Sequence, residues 1–182
     1  LGQPMNDVEF AHNLSPQLAT HYEQAKDLSL TAPAYALTFL RSFAAIFCEM
    51  VELGTVGEKN LNVKIKLVRD GKHGTAKVVE QLRILQASGN QAVHPEEYDW
   101  TTLDFPSMVE SGLSAAIYLM EHLYWLRHGD ANLPAYFVEK PTPNIQRDLS
   151  YRAVFEEDGE ARYTLGLHFK EKADRLQAAD GV

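Results

Sequence analysis

Two side chains in this sequence of 182 residues have the types and spacing to do chemistry together, Asn90 and His94. They lie four apart, so within a helical turn both point the same way. The amide carries donors and an acceptor, and the imidazole can hold or release a proton near neutral pH. Such a pair can bind a phosphate, position a nucleophile or move a proton. Gly89 before them permits positive φ, and Pro95 after them stops any helix that includes His94. The string Ser88-Gly89-Asn90-Gln91-Ala92-Val93-His94-Pro95 therefore predicts a constrained turn following a helix. A plainer reading makes Asn90 a helix cap and gives His94 a hydrogen bond to a neighbouring helix.

Other reactive side chains carry less. Glu96, Glu97 and Asp99 follow His94 and can be drawn as a carboxylate metal site, but acidic turns after proline are ordinarily solvated, so no metal is expected. His122 and His128 are six apart and fall on different faces of one helix. Cys48 sits in an apolar run and reads as packing. Tyr98 and Trp100 are expected to wedge an irregular loop against the helices, with base stacking as the alternative. Neither a phosphate-cradling Gly-x-x-x-x-Gly-Lys string nor His-Glu-x-x-His is present, and no cofactor is implied.

The elements that must position Asn90 and His94 are helical. Ser15-Pro16 is a capping hydroxyl followed by proline at the first helical position, and predicts a helix over 16–28. A short helix is expected before it, near Val8 to Leu14. Pro33 opens a second main helix whose apolar residues, Ala36 to Val51, run nearly all round it, which suits the centre of a bundle. A third is expected over 60–69, a fourth from Thr75 to about Ala87, and a fifth over 106–128. Residues 88–102 read as irregular. Pro134, Pro141 and Pro143 mark 131–144 as a linker. Two more helices are expected at 145–157 and 160–179. The fold class is thus all-α: an up-and-down bundle over 1–130, a linker over 131–144, and a C-terminal helix pair over 145–182.

Composition sets the surroundings. A single cysteine excludes an intrachain disulfide and fits a reducing compartment. No signal peptide is evident and no stretch reads as an uninterrupted apolar span, so a cytoplasmic location and no membrane partner are expected. The net charge of −8 opposes non-specific nucleic-acid binding by the chain as a whole. Lys59, Lys64, Lys66, Arg69, Lys72, Lys77 and Arg83 nevertheless gather in one segment, interrupted only by Asp70 and Glu80. This reads first as a solvated helix face. The alternative is a local groove for a polyanion, a nucleic acid or nucleotide, completed by positive surface from a partner subunit or domain.

A resemblance joins several of these features. The Ala-x-x-x-Leu-Arg string (Ala36 to Arg41), the helix Leu61 to Val68, Leu82-Arg83 and the Gly-Asn-x-Ala-x-His string (Gly89 to His94) together resemble the family known as domain of unknown function 4145. That family is related to the HEPN superfamily (higher eukaryotes and prokaryotes nucleotide-binding). The resemblance spans about Leu30 to Arg127. It implies association with restriction subunits of type I restriction–modification systems or other bacterial defence proteins, and a homodimer with two histidine turns face to face. It also implies metal-independent ribonuclease chemistry, in which a histidine acts on the 2′-hydroxyl or leaving group and an upstream arginine, separated from it by four to six intervening residues, stabilises the phosphorane. Those upstream positions are here Gly89, Ser88 and Ala87, and an acidic residue expected one turn after Arg41 is Ala45. The resulting expectation is a non-catalytic nucleic-acid, nucleotide or protein-interaction domain that binds through Asn90, His94, Arg41 and Arg83. The alternative is a ribonuclease with His94 as its catalytic group. Ala161 to Phe169 also resembles the first helix of a SEL-type repeat, which implies a third role, a domain presenting a helical repeat array.

Overall fold

The computed structural model describes residues 5–94, 96–129 and 132–143, and in the C-terminal region 149–150, 152–154, 159–160, 162–167 and 169–170. The fold is all-α, with one pair of two-residue strands among the described residues. It divides into two compact units, Leu1–Pro141 and Thr142–Val182.

In the first unit the helices are α1 (Asp7–Leu14), α2 (Pro16–Leu28), α3 (Pro33–Val51), α4 (Leu61–Asp70), α5 (Ala76–Val93) and α6 (Phe105–His128). Their starts follow local chemistry. Asn6 and Glu9 form a reciprocal capping box on α1. The Ser15 hydroxyl accepts from the Leu18 N–H, and Pro16 opens α2. Thr75 caps α5 by accepting from the Val78 N–H, and Asp104 caps α6 by accepting from the Ser107 N–H. Gly129, at φ 61°, ends α6 in a conformation that glycine adopts without penalty.

Helix α3 is the hub, packing against α2, α4, α5 and α6. Leu37, Leu40, Phe43 and Phe47 are fully buried there, facing Leu18, Ile65, Leu82, Leu85, Leu119 and Met120 from its neighbours. By length and composition α3 could cross a membrane, contrary to the expectation that no segment qualifies. Its eight buried residues form the centre of the bundle.

Two boundaries differ from the sequence reading. Helix α5 does not stop near Ala87 but continues to Val93. Leu82, Leu85, Gly89 and Ala92 are buried along it, so one inward stripe of shrinking side chains persists through the expected turn. The region expected as a linker is, over 132–141, part of the first unit. Strand β2 (Tyr136–Phe137) pairs in parallel with β1 (Met5–Asn6), and the Tyr136 ring stacks on Phe10 at 4.5 Å.

The second unit has its own small core. Leu149 and Ala153 are buried with Leu165 packed against them, and the Arg162 Nε donates to the Ala153 carbonyl at 2.7 Å. From Leu149 onward the described residues there are helical. Much of the helix pair expected at 145–157 and 160–179, and part of the repeat-like string, lies outside the described residues.

Candidate functional site

The site is built where α3 crosses the last turns of α5. Gly89 is helical here and does not use positive φ. Its role is close approach: a Cβ on Gly89 would fall 2.5 Å from the Arg41 Cβ and 2.8 Å from its Cδ. The aliphatic stem of Arg41 thus lies directly on the α5 backbone. One residue on, the Asn90 Oδ1 accepts from the Arg41 Nε at 3.0 Å. Stem and Nε are therefore both held. Among the described residues the two terminal nitrogens of Arg41 have no hydrogen-bond partner, and the side chain is half-buried. A guanidinium fixed this way presents a fork suited to a phosphate or carboxylate.

His94 sits one turn beyond Asn90, as the C-cap of α5; its N–H donates to the Asn90 carbonyl at 3.1 Å. Its Nδ1 lies 3.2 Å from the Glu96 Oε1, and the ligand atoms of His94, Glu96 and Glu97 all fall within 4.8 Å of one another. The Glu96 carboxyl is held below its ordinary value, first by a hydrogen bond from its own backbone and then by the His94 ring. Such a group offers a cation two carboxylates and an imidazole, but all three are exposed or half-exposed. The carboxylates make the immediate vicinity of His94 unfavourable for an anion.

Arg83 is placed elsewhere. Its Nη1 donates to the Asn62 Oδ1 at 2.5 Å and to the Gln86 Oε1 at 2.6 Å. It stands eleven residues before His94 on the same helix, about 16 Å away at the helical rise. The structure thus joins Arg41 to Asn90 and sets Arg83 apart, bound to α4.

Three of the seven cations of the basic segment are ion-paired. Lys64 is buried and bonded to Glu49; Arg69 pairs with Asp70 at 2.8 Å, and Lys77 with Glu80 at 2.9 Å. Trp100 donates its indole N–H to the Gln91 carbonyl at 2.9 Å and meets Phe105 edge-on at 5.2 Å, which fastens residues 99–105 to the end of α5. Tyr98 and Trp100 nevertheless stay exposed.

Sequence reasoning missed a second polar centre. The Asp7 carboxylate is fully buried; it accepts from Lys26 Nζ at 2.7 Å on both oxygens, from the Tyr22 hydroxyl at 2.5 Å and from the Glu139 N–H at 3.1 Å. One signal was available: Lys26 lies four residues after Tyr22, on the inward face of α2, where a lysine needs a buried partner.

No family model, curated protein or solved structure matches the chain.

Proposed function

We propose that this chain is a non-catalytic binding module for a phosphate-bearing ligand, a nucleotide or a nucleic-acid strand, and that Arg41 is its anchor. The observation that carries this reading is the clamped guanidinium, with its stem on Gly89 and its Nε on Asn90. Preorganisation of this kind lowers the cost of ordering a long side chain on binding. Trp100 is tied to the same end of α5, and it and Tyr98 are exposed and offer faces for a base. A role in bacterial restriction or defence, with a homodimer or a restriction subunit as partner, rests on the resemblance over Leu30 to Arg127.

The absence of catalysis in this proposal rests on charge. A ribonuclease needs a cation beside its histidine to stabilise the phosphorane. His94 faces Glu96 and Glu97, and Arg83 is bound to Asn62.

Fluorescence anisotropy with a labelled single-stranded RNA, and competition by ATP, tests the reading. Arg41→Gln should weaken binding about 10- to 100-fold, the loss expected of a charge-assisted pair. Equal affinity in parent and Arg41→Gln would overturn it. Metal-independent cleavage of the same RNA, lost in His94→Ala, would establish the ribonuclease instead.

A further inference from the structure

The segment 132–141 lies across the bundle with little apolar anchorage. None of these residues is fully buried, and Phe137 and Val138 are 45% and 57% exposed. What holds the segment is mostly polar. The Tyr136 hydroxyl donates to the Glu121 Oε1 at 2.6 Å, the Asn6 Nδ2 to the Glu139 Oε2 at 3.1 Å, and the Glu139 N–H to Asp7. The ladder with β1 is two residues long. Among the described residues only the Tyr136–Phe10 stack adds an aromatic contact. By contrast, α2, α3, α5 and α6 share a continuous apolar core. Segments with few buried apolar contacts open at a fraction of the global unfolding free energy.

The receptacle for this strap survives its departure. Without the Glu139 N–H, Asp7 still accepts from Lys26 and Tyr22. No charge is stranded, so opening avoids the penalty of an unpaired buried ion. Opening also has a consequence for the surface. A groove of about 560 Å³ runs between α2 and α6, with Leu30 in the turn after α2, Leu113 and Ile117 on α6, and Val138 and Pro141 of the strap as one wall. The strap leads directly into the second unit, which begins at Thr142.

We infer that residues 132–141 are a latch, which detaches as one unit from a preformed Asp7 receptacle while the helical core stays folded, and whose opening removes one wall of the groove between α2 and α6. The latch sits where the chain leaves the first unit, so a load on the following residues acts on it before it acts on the core.

Hydrogen exchange of the full chain, followed by mass spectrometry, tests this. Amides at 136–139 should exchange at least about tenfold faster than those of α3. Tyr136→Ala should speed the strap further and leave α3 unchanged. Asn6→Cys with Phe137→Cys, directly opposed in the ladder, should on oxidation slow the strap to the rate of α3. In a Cys48→Ala background, a thiol reagent should label Ile117→Cys faster when Tyr136→Ala is added. Strap and α3 amides that exchange at one common rate in the parent would overturn the latch. So would a Tyr136→Ala effect that is equal in strap and core, an oxidised pair without effect, or unchanged labelling at position 117.

Discussion

The Arg41 Nε donates to the Asn90 Oδ1 across 49 positions of sequence, and the stem of the same arginine rests on Gly89. Helix crossing and candidate site are therefore one contact. The absence of a side chain at 89 lets α3 approach α5, and the approach places Arg41 where Asn90 can hold it.

Gly89→Ala isolates that contact. Alanine in a helix interior gains up to about 1 kcal/mol over glycine. Here the new Cβ would meet the Arg41 Cβ at 2.5 Å, an atom fixed to the α3 backbone that no rotamer change can move. Overpacking of this kind costs about 1–3 kcal/mol, so the net effect should be destabilising. Gly112→Ala is the comparison: its Cβ would meet the Leu40 Cδ1 at 2.7 Å, the far end of a rotatable side chain. Urea midpoints should fall more for Gly89→Ala than for Gly112→Ala. A Gly89→Ala protein as stable as the parent would show that the helices are free to separate.

Much of this was legible locally. Ser15-Pro16, Thr75 and the apolar run from Ala36 to Val51 specify helix starts and a central helix from neighbouring residues alone. Arg41 and Asn90 both stand out by type. Their pairing does not, because it depends on how closely two helices approach. Glycine at 89 suggested a turn, yet Leu82, Leu85 and Ala92 keep helical spacing through it; a small residue inside a periodic stripe marks close packing as readily as a break. The strap was hidden for another reason. Pro134 and Pro141 read as loop, and the strand that pairs with Tyr136–Phe137 is at the opposite end of the first unit. Arg83 was drawn away by nearer acceptors, Asn62 and Gln86.

The buried ion pair sets a second prediction. Asp7→Leu leaves Lys26, with a side chain 8% exposed, without its counter-charge. Lys26→Met leaves the Asp7 carboxylate in the same position. Each single change should cost about 3–5 kcal/mol, the usual loss when one member of a buried pair is removed. The double variant Asp7→Leu with Lys26→Met should cost much less than the sum, because neither charge then stays buried. Chemical denaturation of the four proteins measures the coupling. Additive losses would mean that the two groups do not depend on each other.

Three groups make the fold sensitive to alkali. Burial pushes the Cys48 thiol up to about 12, with Lys64 opposing it. The Tyr22 phenol is raised by burial and then by its bond to Asp7, and the Tyr136 phenol by burial and then by its bond to Glu121. Each raised value means that the folded chain keeps a proton the unfolded chain gives up. Their contribution is complete below the ordinary values of 9.0 for the thiol and 10.0 for the phenols, and is lost as pH climbs above them. The urea midpoint should therefore fall as pH rises above 9.0. At pH 8 the native thiol should be inert to an aromatic disulfide reagent and react only on unfolding. Prompt labelling of the native chain would contradict the burial of Cys48.

His122 should act in the opposite direction, at acid pH. Its Nε2 is buried without a hydrogen-bond partner among the described residues. Burial lowers its pKa from the ordinary 6.5, and a hydrogen bond with the His73 backbone only partly offsets this. The folded state therefore favours the neutral ring, whereas the unfolded chain takes up a proton at about the ordinary value. Stability from this residue is complete above pH 6.5 and is lost as pH falls through the lowered folded value. Nuclear magnetic resonance of the ring protons should show His122 titrating below the ordinary imidazole value of 6.5. His122→Phe keeps a ring of similar size without a titrating nitrogen. That variant should lose less stability than the parent between pH 7 and pH 5, and it also removes an unsatisfied polar atom. If the parent and the variant lose stability in parallel over that range, His122 is not the group that senses acid.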